Sequence, residues 1–514
     1  RGIFDTPGVG ASLVTVVDTV KPATASSDVP PLGAGQVALL IPGVGHVRGG
    51  VGLFISDVTI TNVFGVNELS DLGIYFSPSM DVSSAPKSAP VAPVAPGTGV
   101  KLADVVTTVF GGDQVTGTMQ IRTRDFDKLY TAANIFNVSN ALGTYGSVIP
   151  VFRSDRSLAP GQSLALSGMR KSATTRTNIF VQESAGATAT VTVRFFAASG
   201  AELSSLTEPL APFRMLRLID RVPAGAVMAR VTNEAASLGR IVAYATPVDQ
   251  ESGDFWSVAD WSQLVGANRA EPVVVPVAGV VRGANDTFFR TDVSLSNVGT
   301  GAAAGTLEYI QRDGARFSKP VSLAPGATDE VSDVVGTHFG AASGSLGYLV
   351  YTPSTGSIAV TSRTYATVGN RPGTYGTGVP ALPRSSAMRL GQARQINGLD
   401  VSSVATIQSQ KPASFRSNVG LVETGGSGVK VRVTASYGDK RSLVFGAIAS
   451  FDVDLGANGF VLLTDLSNRL PQTARGEDLI GLSLRFQVVS GNGAVIPFVT
   501  SVDNGSGDQV LRTE

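Results

Sequence analysis

The chain has 514 residues, room for about three to five domains. Lys+Arg and Asp+Glu are equal at 40 each, which argues against a nucleic-acid partner, since that would need a basic stripe. Charged residues make up only 16%, a surface with little of the self-repulsion that keeps monomers apart, and the absence of cysteine removes disulfides, thiolate nucleophiles and thiolate metal sites together.

Residue 1 is Arg, not Met, which predicts a processed chain whose signal peptide has been removed, or one with a trimmed start. Residues 1–35 carry one strong strand pattern, 11–20 (ASLVTVVDTV), followed by a Pro/Ser-rich tether over 21–31. A lone strand must pair with a sheet. The segment therefore either completes the edge of its own first domain or donates Leu13, Val14, Val16 and Val17 to the next subunit as an assembly strand. The most apolar runs, 37–44 and 273–281, are broken by Pro42 and Pro276. Both fall far below the roughly 20 apolar residues of a spanning helix.

From residue 37 onward the pattern is short strands separated by turn residues. Segments 117–137, 225–247, 344–366 and 481–502 read as strand–turn–strand units. In the last, Leu482, Leu484, Phe486 and Val488 alternate with Ser483, Arg485 and Gln487. Gly491-Asn492-Gly493 then supplies the positive φ of a tight hairpin. A second strand type contains Ser56-Asp57-Val58, Thr177-Asn178-Ile179, Thr291-Asp292-Val293 and Ser417-Asn418-Val419. Its Asp or Asn is expected to satisfy backbone groups at a strand start or sheet corner. Helix is expected only over 102–110 and 331–339, with Asp104 and Asp333 at their first turns. The Pro/Ala-rich stretch 84–97 reads as a polyproline-like loop insertion.

The chain also repeats itself. Val47-Arg48-Gly49, Asp104-Val105-Val106, Phe110-Gly111 and Gly143-Thr144-Tyr145-Gly146 return as Val281-Arg282-Gly283, Asp333-Val334-Val335, Phe339-Gly340 and Gly373-Thr374-Tyr375-Gly376. Between them lie different marks: Leu166-Ser167-Gly168-Met169 answers to Ile396-Asn397-Gly398-Leu399, and 249–254 (DQESGD) answers to 503–508 (DNGSGD). The expected fold is therefore all-β: four tandem immunoglobulin-like β-sandwich domains in an A-B-A-B duplication, preceded by the N-terminal strand segment. The boundaries fall at 1–35, 36–153, 154–268, 269–383 and 384–514.

The run Phe289-Arg290-Thr291-Asp292-Val293, the Thr361-Ser362-Arg363-Thr364-Tyr365 run and Phe415-Arg416-Ser417-Asn418-Val419-Gly420 resemble a repeat family in exported proteins of environmental bacteria, especially Acidobacteria-like lineages. So does the closing Val502-Asp503-Asn504-Gly505-Ser506-Gly507-Asp508. The resemblance implies tandem β-sandwiches and export, and it brings no active site.

Candidate chemistry is sparse. The two histidines, His46 and His338, stand opposite Val280 and Val109 of the other copy, and no G-x-S-x-G elbow is present. The acidic turns place Asp249 with Asp254, and Asp503 with Asp508, five residues apart. They are candidate Ca²⁺ ligands, although one turn offers fewer than the six to eight oxygens the ion takes; Asx-type turns are the commoner use of such residues. Trp256 and Trp261 either form a platform for sugars or pack at the junction of the second and third units. The reading is a non-catalytic, cofactor-free extracellular or cell-surface structural protein, a homo-polymer or filament subunit assembling by strand donation. The alternative is an adhesin or carbohydrate-binding accessory module whose partner is a glycan or cell-surface component.

Overall fold

The computed structural model describes residues 29–513, apart from 63–66, 82, 97–98, 140–142, 261–268, 285, 404–413, 438–445 and 475. These residues form an all-β, multi-domain protein of several antiparallel sheets. Four successive units are described below, spanning 37–153, 163–259, 273–383 and 393–512.

In the first unit nine strands form one continuous sheet that turns back on itself through its first strand, Val37–Gly49. The first part of that strand, as far as His46, pairs with Val115–Thr123, and Val47 to Gly49 pair with Gly52–Asn62. The register slips between Ile41 and Val44, at Pro42-Gly43. Proline has no N–H for the ladder, so the bulge sits where a strand can bend from one layer to the other. The third unit repeats the device in Val273–Arg282, which slips between Val275 and Ala278 at Pro276 before passing to Thr287–Asn297. The folded-over sheet of the first unit encloses Leu40, Ile41, Val58, Ile60, Ile74, Met119 and Ile121.

The second and fourth units each contain two four-stranded sheets. In the second, Ser163–Ser167, Ala226–Asn233, Ala189–Ala197 and Glu202–Leu210 face Met215–Leu218, Thr175–Glu183, Ile241–Asp249 and Val258–Ala259 across one core. The fourth has the same order, with Ala393–Val401, Leu479–Gly491, Val429–Tyr437 and Gly446–Leu455 in one sheet. Its other sheet runs Phe460–Leu463, Phe415–Glu423, Val495–Asp503 and Gln509–Arg512.

The four strand–turn–strand segments are not hairpins. Leu479–Gly491 pairs with Ala393–Val401 and Val429–Tyr437, whereas Val495–Asp503 pairs with Phe415–Glu423 and Gln509–Arg512. In the second and fourth units such a segment crosses from one sheet to the other, and in the first and third from one layer of the folded-over sheet to the other. Period-2 alternation says that one face is buried; it is the same for a strand in either layer, so it cannot name the partner. The expected helices shrink to single turns, Val105–Thr108 and Val334–His338.

One device recurs in all four units. Asp57, Asn178, Asp292 and Asn418 each use a side-chain oxygen to accept the backbone N–H of Asp104, Asp220, Asp333 and Asp465, at 2.9, 3.3, 2.9 and 3.0 Å. All four receiving aspartates have left-handed backbone, with φ of 43°, 53°, 47° and 56°. Asp and Asn tolerate this conformation better than most residues. Asp333 also caps its turn by accepting from Gly336 N–H, but the Asp104 carboxylate is turned to His46 instead.

The second and fourth units share a buried glutamate. Glu183 accepts the N–H groups of Ala185, Gly186, Phe213 and Arg240. Glu423 accepts those of Gly425, Gly426, Asn458 and Ala494. One buried carboxylate thus satisfies four backbone donors. Glu423→Gln leaves one oxygen for that set and is expected to cost about 1–3 kcal/mol, read from the urea midpoint at constant m-value.

Candidate functional site: the junctions between repeated pairs

The acidic turns do not stand free. Asp249 Oδ1 accepts the N–H groups of Glu251 and Ser252 at 3.0 and 3.1 Å, closing its own turn. Its Oδ2 reaches into the third unit and accepts Thr374 N–H at 2.9 Å and Thr374 Oγ1–H at 2.7 Å. Asp254 Oδ2 accepts Gly376 N–H at 2.7 Å, and Ser252 Oγ donates to the Thr374 carbonyl at 2.8 Å. The fourth unit repeats every contact on the first. Asp503 Oδ2 accepts Thr144 N–H and Oγ1–H, both at 2.9 Å, Asp508 Oδ2 accepts Gly146 N–H at 2.8 Å, and Ser506 Oγ donates to the Thr144 carbonyl. Each acidic turn therefore clasps the Gly-Thr-Tyr-Gly segment of the other repeated pair.

The remaining contacts close the circuit. The first and second units share apolar packing, with Val242, Tyr244 and Ala259 inside the first unit's core. The third and fourth do the same through Val422, Phe460, Ile496 and Phe498. The pairs then meet through the two clasps, an arrangement close to twofold, with Tyr145 and Tyr375 edge to face and their ring centroids 6.4 Å apart. Gly168 and Gly398 occupy matching places in it. A Cβ on Gly168 would touch Thr361 and Ser294, and one on Gly398 would touch Ala132 and Thr59.

The calcium candidates Asp249, Asp254, Asp503 and Asp508 thus face N–H and O–H donors, the partners of a carboxylate that acts as an acceptor rather than a ligand. Among the described residues no three His, Asp or Glu side chains gather as a metal-ligand set. Trp256 is not an exposed platform: it is 3% exposed, and the Arg363 guanidinium of the third unit lies 3.6 Å from its ring centroid. The aromatic face is spent on a cation–π contact within the junction. Trp261 and the assembly-strand residues Leu13, Val14, Val16 and Val17 lie outside the described residues. His46 Nδ1 meets Asp104 at 2.9 Å, and its Nε2 is 3.6 Å from Asp113.

The two junctions differ in their charges. In one, Arg170 of the second unit meets Asp292 of the third at 2.9 Å. In the other, Lys101 of the first unit lies 3.2 Å from Asp57 and 3.4 Å from Asp400 of the fourth. Burial works against the Lys101 charge, but Asp400 and Asp57 outweigh it and raise its pKa.

At the centre, Asp254 is fully buried with Oδ1 unpartnered, and Arg363 lies 4.0 Å from its Oδ2. Burial, opposed by Arg363 and by the Gly376 N–H, lifts the Asp254 pKa to about 7. Burial and the repulsion of Asp254 lift Asp508 well above the usual carboxylate range.

A cavity of about 350 Å³ opens where all four units meet. Its wall includes Tyr130 and Ile149 from the first unit, Ser257 from the second, Leu382 from the third and Arg512 from the fourth. The sequence marks both halves of each clasp, because DQESGD and DNGSGD recur as Gly-Thr-Tyr-Gly does. Neither mark says that it belongs to the other. Arg512 carries no repeat signature of its own and is visible only in the structure; Glu423 recurs as Glu183, but its role is visible only there too.

No family model and no curated protein matches the chain. Among solved structures it is similar to a tetra-tandem repeat in the extending region of a large adhesion protein, at 10% identity over 88% of this chain and 92% of that one, with a TM-score of 0.10. It is also similar to the Bacteroides ovatus mixed-linkage glucan utilization locus protein SGBP-B in complex with mixed-linkage heptasaccharide, at 8% identity over 94% and 99% of the two chains, again with a TM-score of 0.10. Superpositions this weak fix neither fold nor function.

Proposed function

We propose that the chain is a non-catalytic, repeat-built protein of the extracellular type, working as an adhesive or carbohydrate-associated module. The observation that carries this reading is the pair of clasps. They consume the acidic turns, the Gly-Thr-Tyr-Gly segments and Trp256 in holding four β-units in one fixed arrangement, which suits a rigid scaffold that presents a surface. A place outside the cell is part of the same proposal, and goes with the resemblance of its strand and turn marks to exported bacterial repeat proteins. Binding of the purified protein to a glycan array and to bacterial or host cell-wall preparations tests it. Saturable retention on a defined glycan or surface is expected; no retention on any of them removes the adhesive reading.

Self-assembly is a second reading, favoured by the zero net charge and the 16% charge content. Deleting residues 1–20 and imaging by electron microscopy separates the two. Polymers lost with the strand would support donation, and polymers unchanged by the deletion would remove it.

A further inference from the structure

The two clasps make the same hydrogen bonds, so by themselves they would let either acidic turn seize either Gly-Thr-Tyr-Gly segment. The first and second units share one core and form one half; the third and fourth form the other. Each half carries one turn and one segment, so two like halves have every part needed to clasp each other. What distinguishes the halves is the set of side chains beside the clasps.

Register identifies the matching positions. Lys101 pairs with Thr59 and Glu330 with Ser294, each one residue past the matching Val58 and Val293. Arg170 and Asp400 each lie two residues after the matching Gly168 and Gly398. At both positions the charge is reversed between the halves. Arg170 of the second unit meets Asp292 at 2.9 Å and lies 4.0 Å from Glu330 of the third. Asp400 of the fourth unit lies 3.4 Å from Lys101 of the first, which is itself 3.2 Å from Asp57. The arginines are exchanged as well. Arg363 and Asn134 match, since they pair with Asp292 and Asp57. Val258 and Arg512 match, since they pair with Ala245 and Val499. Arg363 of the third unit therefore serves one junction, beside Asp254, and Arg512 of the fourth serves the other, donating to Asn134 at 3.0 Å.

Two like halves would misfit at all of these positions. A second unit clasping a first unit would set Arg170 against Lys101 and leave Asp254 without Arg363. A fourth unit clasping a third would set Asp400 against Glu330 and Asp292, and Arg512 against Arg363. Asp57 and Asp292 are buried, and like charges brought together at a desolvated interface reject the wrong partner. We propose that Lys101, Arg170, Glu330 and Asp400, with Arg363 and Arg512, determine which half each half accepts: a first half fits only a second half, its own or that of another copy. Only residues 260–272 link the halves covalently, so the partner this surface fits from outside is a second copy of the chain, by exchange of unlike halves. The inference needs neither the adhesive reading nor strand donation.

Full-length Arg170→Asp and Glu330→Lys variants test it. The first adds a carboxylate beside Asp292 and Glu330, and the second sets a lysine against Arg170, so each should melt below wild type. Both changes in one chain copy the Asp57–Lys101–Asp400 arrangement of the other junction and should recover most of the loss. The two single variants are then unfolded and refolded together at about 0.1 mM, below the effective concentration on the order of millimolar that closes a chain on itself. In an exchanged dimer of the two variants every junction is matched. Exchange between identical chains relieves nothing, and pairing of like halves leaves the other two uncovered, so each variant alone should stay monomeric, as should wild type. Native mass spectrometry of the mixture should show a one-to-one heterodimer, at least about tenfold more abundant than dimer in any of the three proteins alone. A double variant no more stable than the weaker single one overturns the matching of charges. A mixture that stays monomeric, or a wild type that dimerises as readily, overturns the exchange of halves.

Discussion

Replacing Asp249 and Asp503 together by alanine is expected to open the molecule into two halves joined by one linker. Each aspartate accepts two cross-junction donors from a single threonine, in addition to two N–H groups of its own turn. Truncating one carboxylate leaves these donors without an acceptor and should cost about 2–4 kcal/mol. Either single variant should keep its overall shape. With one clasp intact, the other pair of surfaces stays at an effective concentration on the order of millimolar, and the apolar packing within each pair is untouched. Losing both clasps removes that advantage. Small-angle scattering should therefore show wild-type dimensions for each single variant and a larger radius of gyration for the double. Equal dimensions in all four proteins would show that Tyr145, Tyr375 and the surrounding packing hold the pairs without the carboxylates.

The doubling, the all-β character and the strand positions were legible because they are local. Alternation in 482–488 and turn glycines such as Gly491 follow from backbone geometry alone. The pairing of those strands was not, since the core decides whether Val495–Asp503 lies beside Leu479–Gly491 or across from it. The acidic turns stood out by composition, but composition fits a calcium loop and a hydrogen-bonding clasp alike. Only the approach of Thr374 and Thr144 distinguishes them. Trp256 was ambiguous for the same reason, because its cover comes from Arg363, more than a hundred residues away in sequence. Glu183 and Glu423 sit among apolar strand residues, where a charge reads as an outward-facing position. Their burial depends on four N–H groups drawn from separate loops.

The centre of the circuit should make the protein less stable as pH rises through neutrality. Asp254 and Asp508 meet the same low-dielectric region from opposite clasps, and each is raised above its unfolded value, Asp254 to about 7. A carboxyl whose folded pKa is raised contributes fully only below its unfolded pKa, about 4, where both states are protonated. Above that the unfolded chain ionises first, so stability is lost progressively until the folded group ionises as well. For Asp254 the window is about pH 4 to 7, and the loss is on the order of a few kcal/mol. Both carboxyls are raised and repel one another, so they titrate as a pair; Asp254 Oδ1 meets no donor at hydrogen-bond geometry, whereas both Asp508 oxygens accept backbone N–H groups, from Gly146 and Gln509. Asp254→Asn mimics the protonated acid and can still accept from Gly376. Urea denaturation at pH 5 and pH 8 should show wild-type stability falling between the two, and a clearly smaller fall in the variant. At pH 8 the variant relieves the repulsion on Asp508 but leaves Arg363 without its carboxylate, so the slope is the decisive reading. An unchanged slope would place the titration elsewhere, and a steeper one would mean that Arg363 already holds Asp254 ionised.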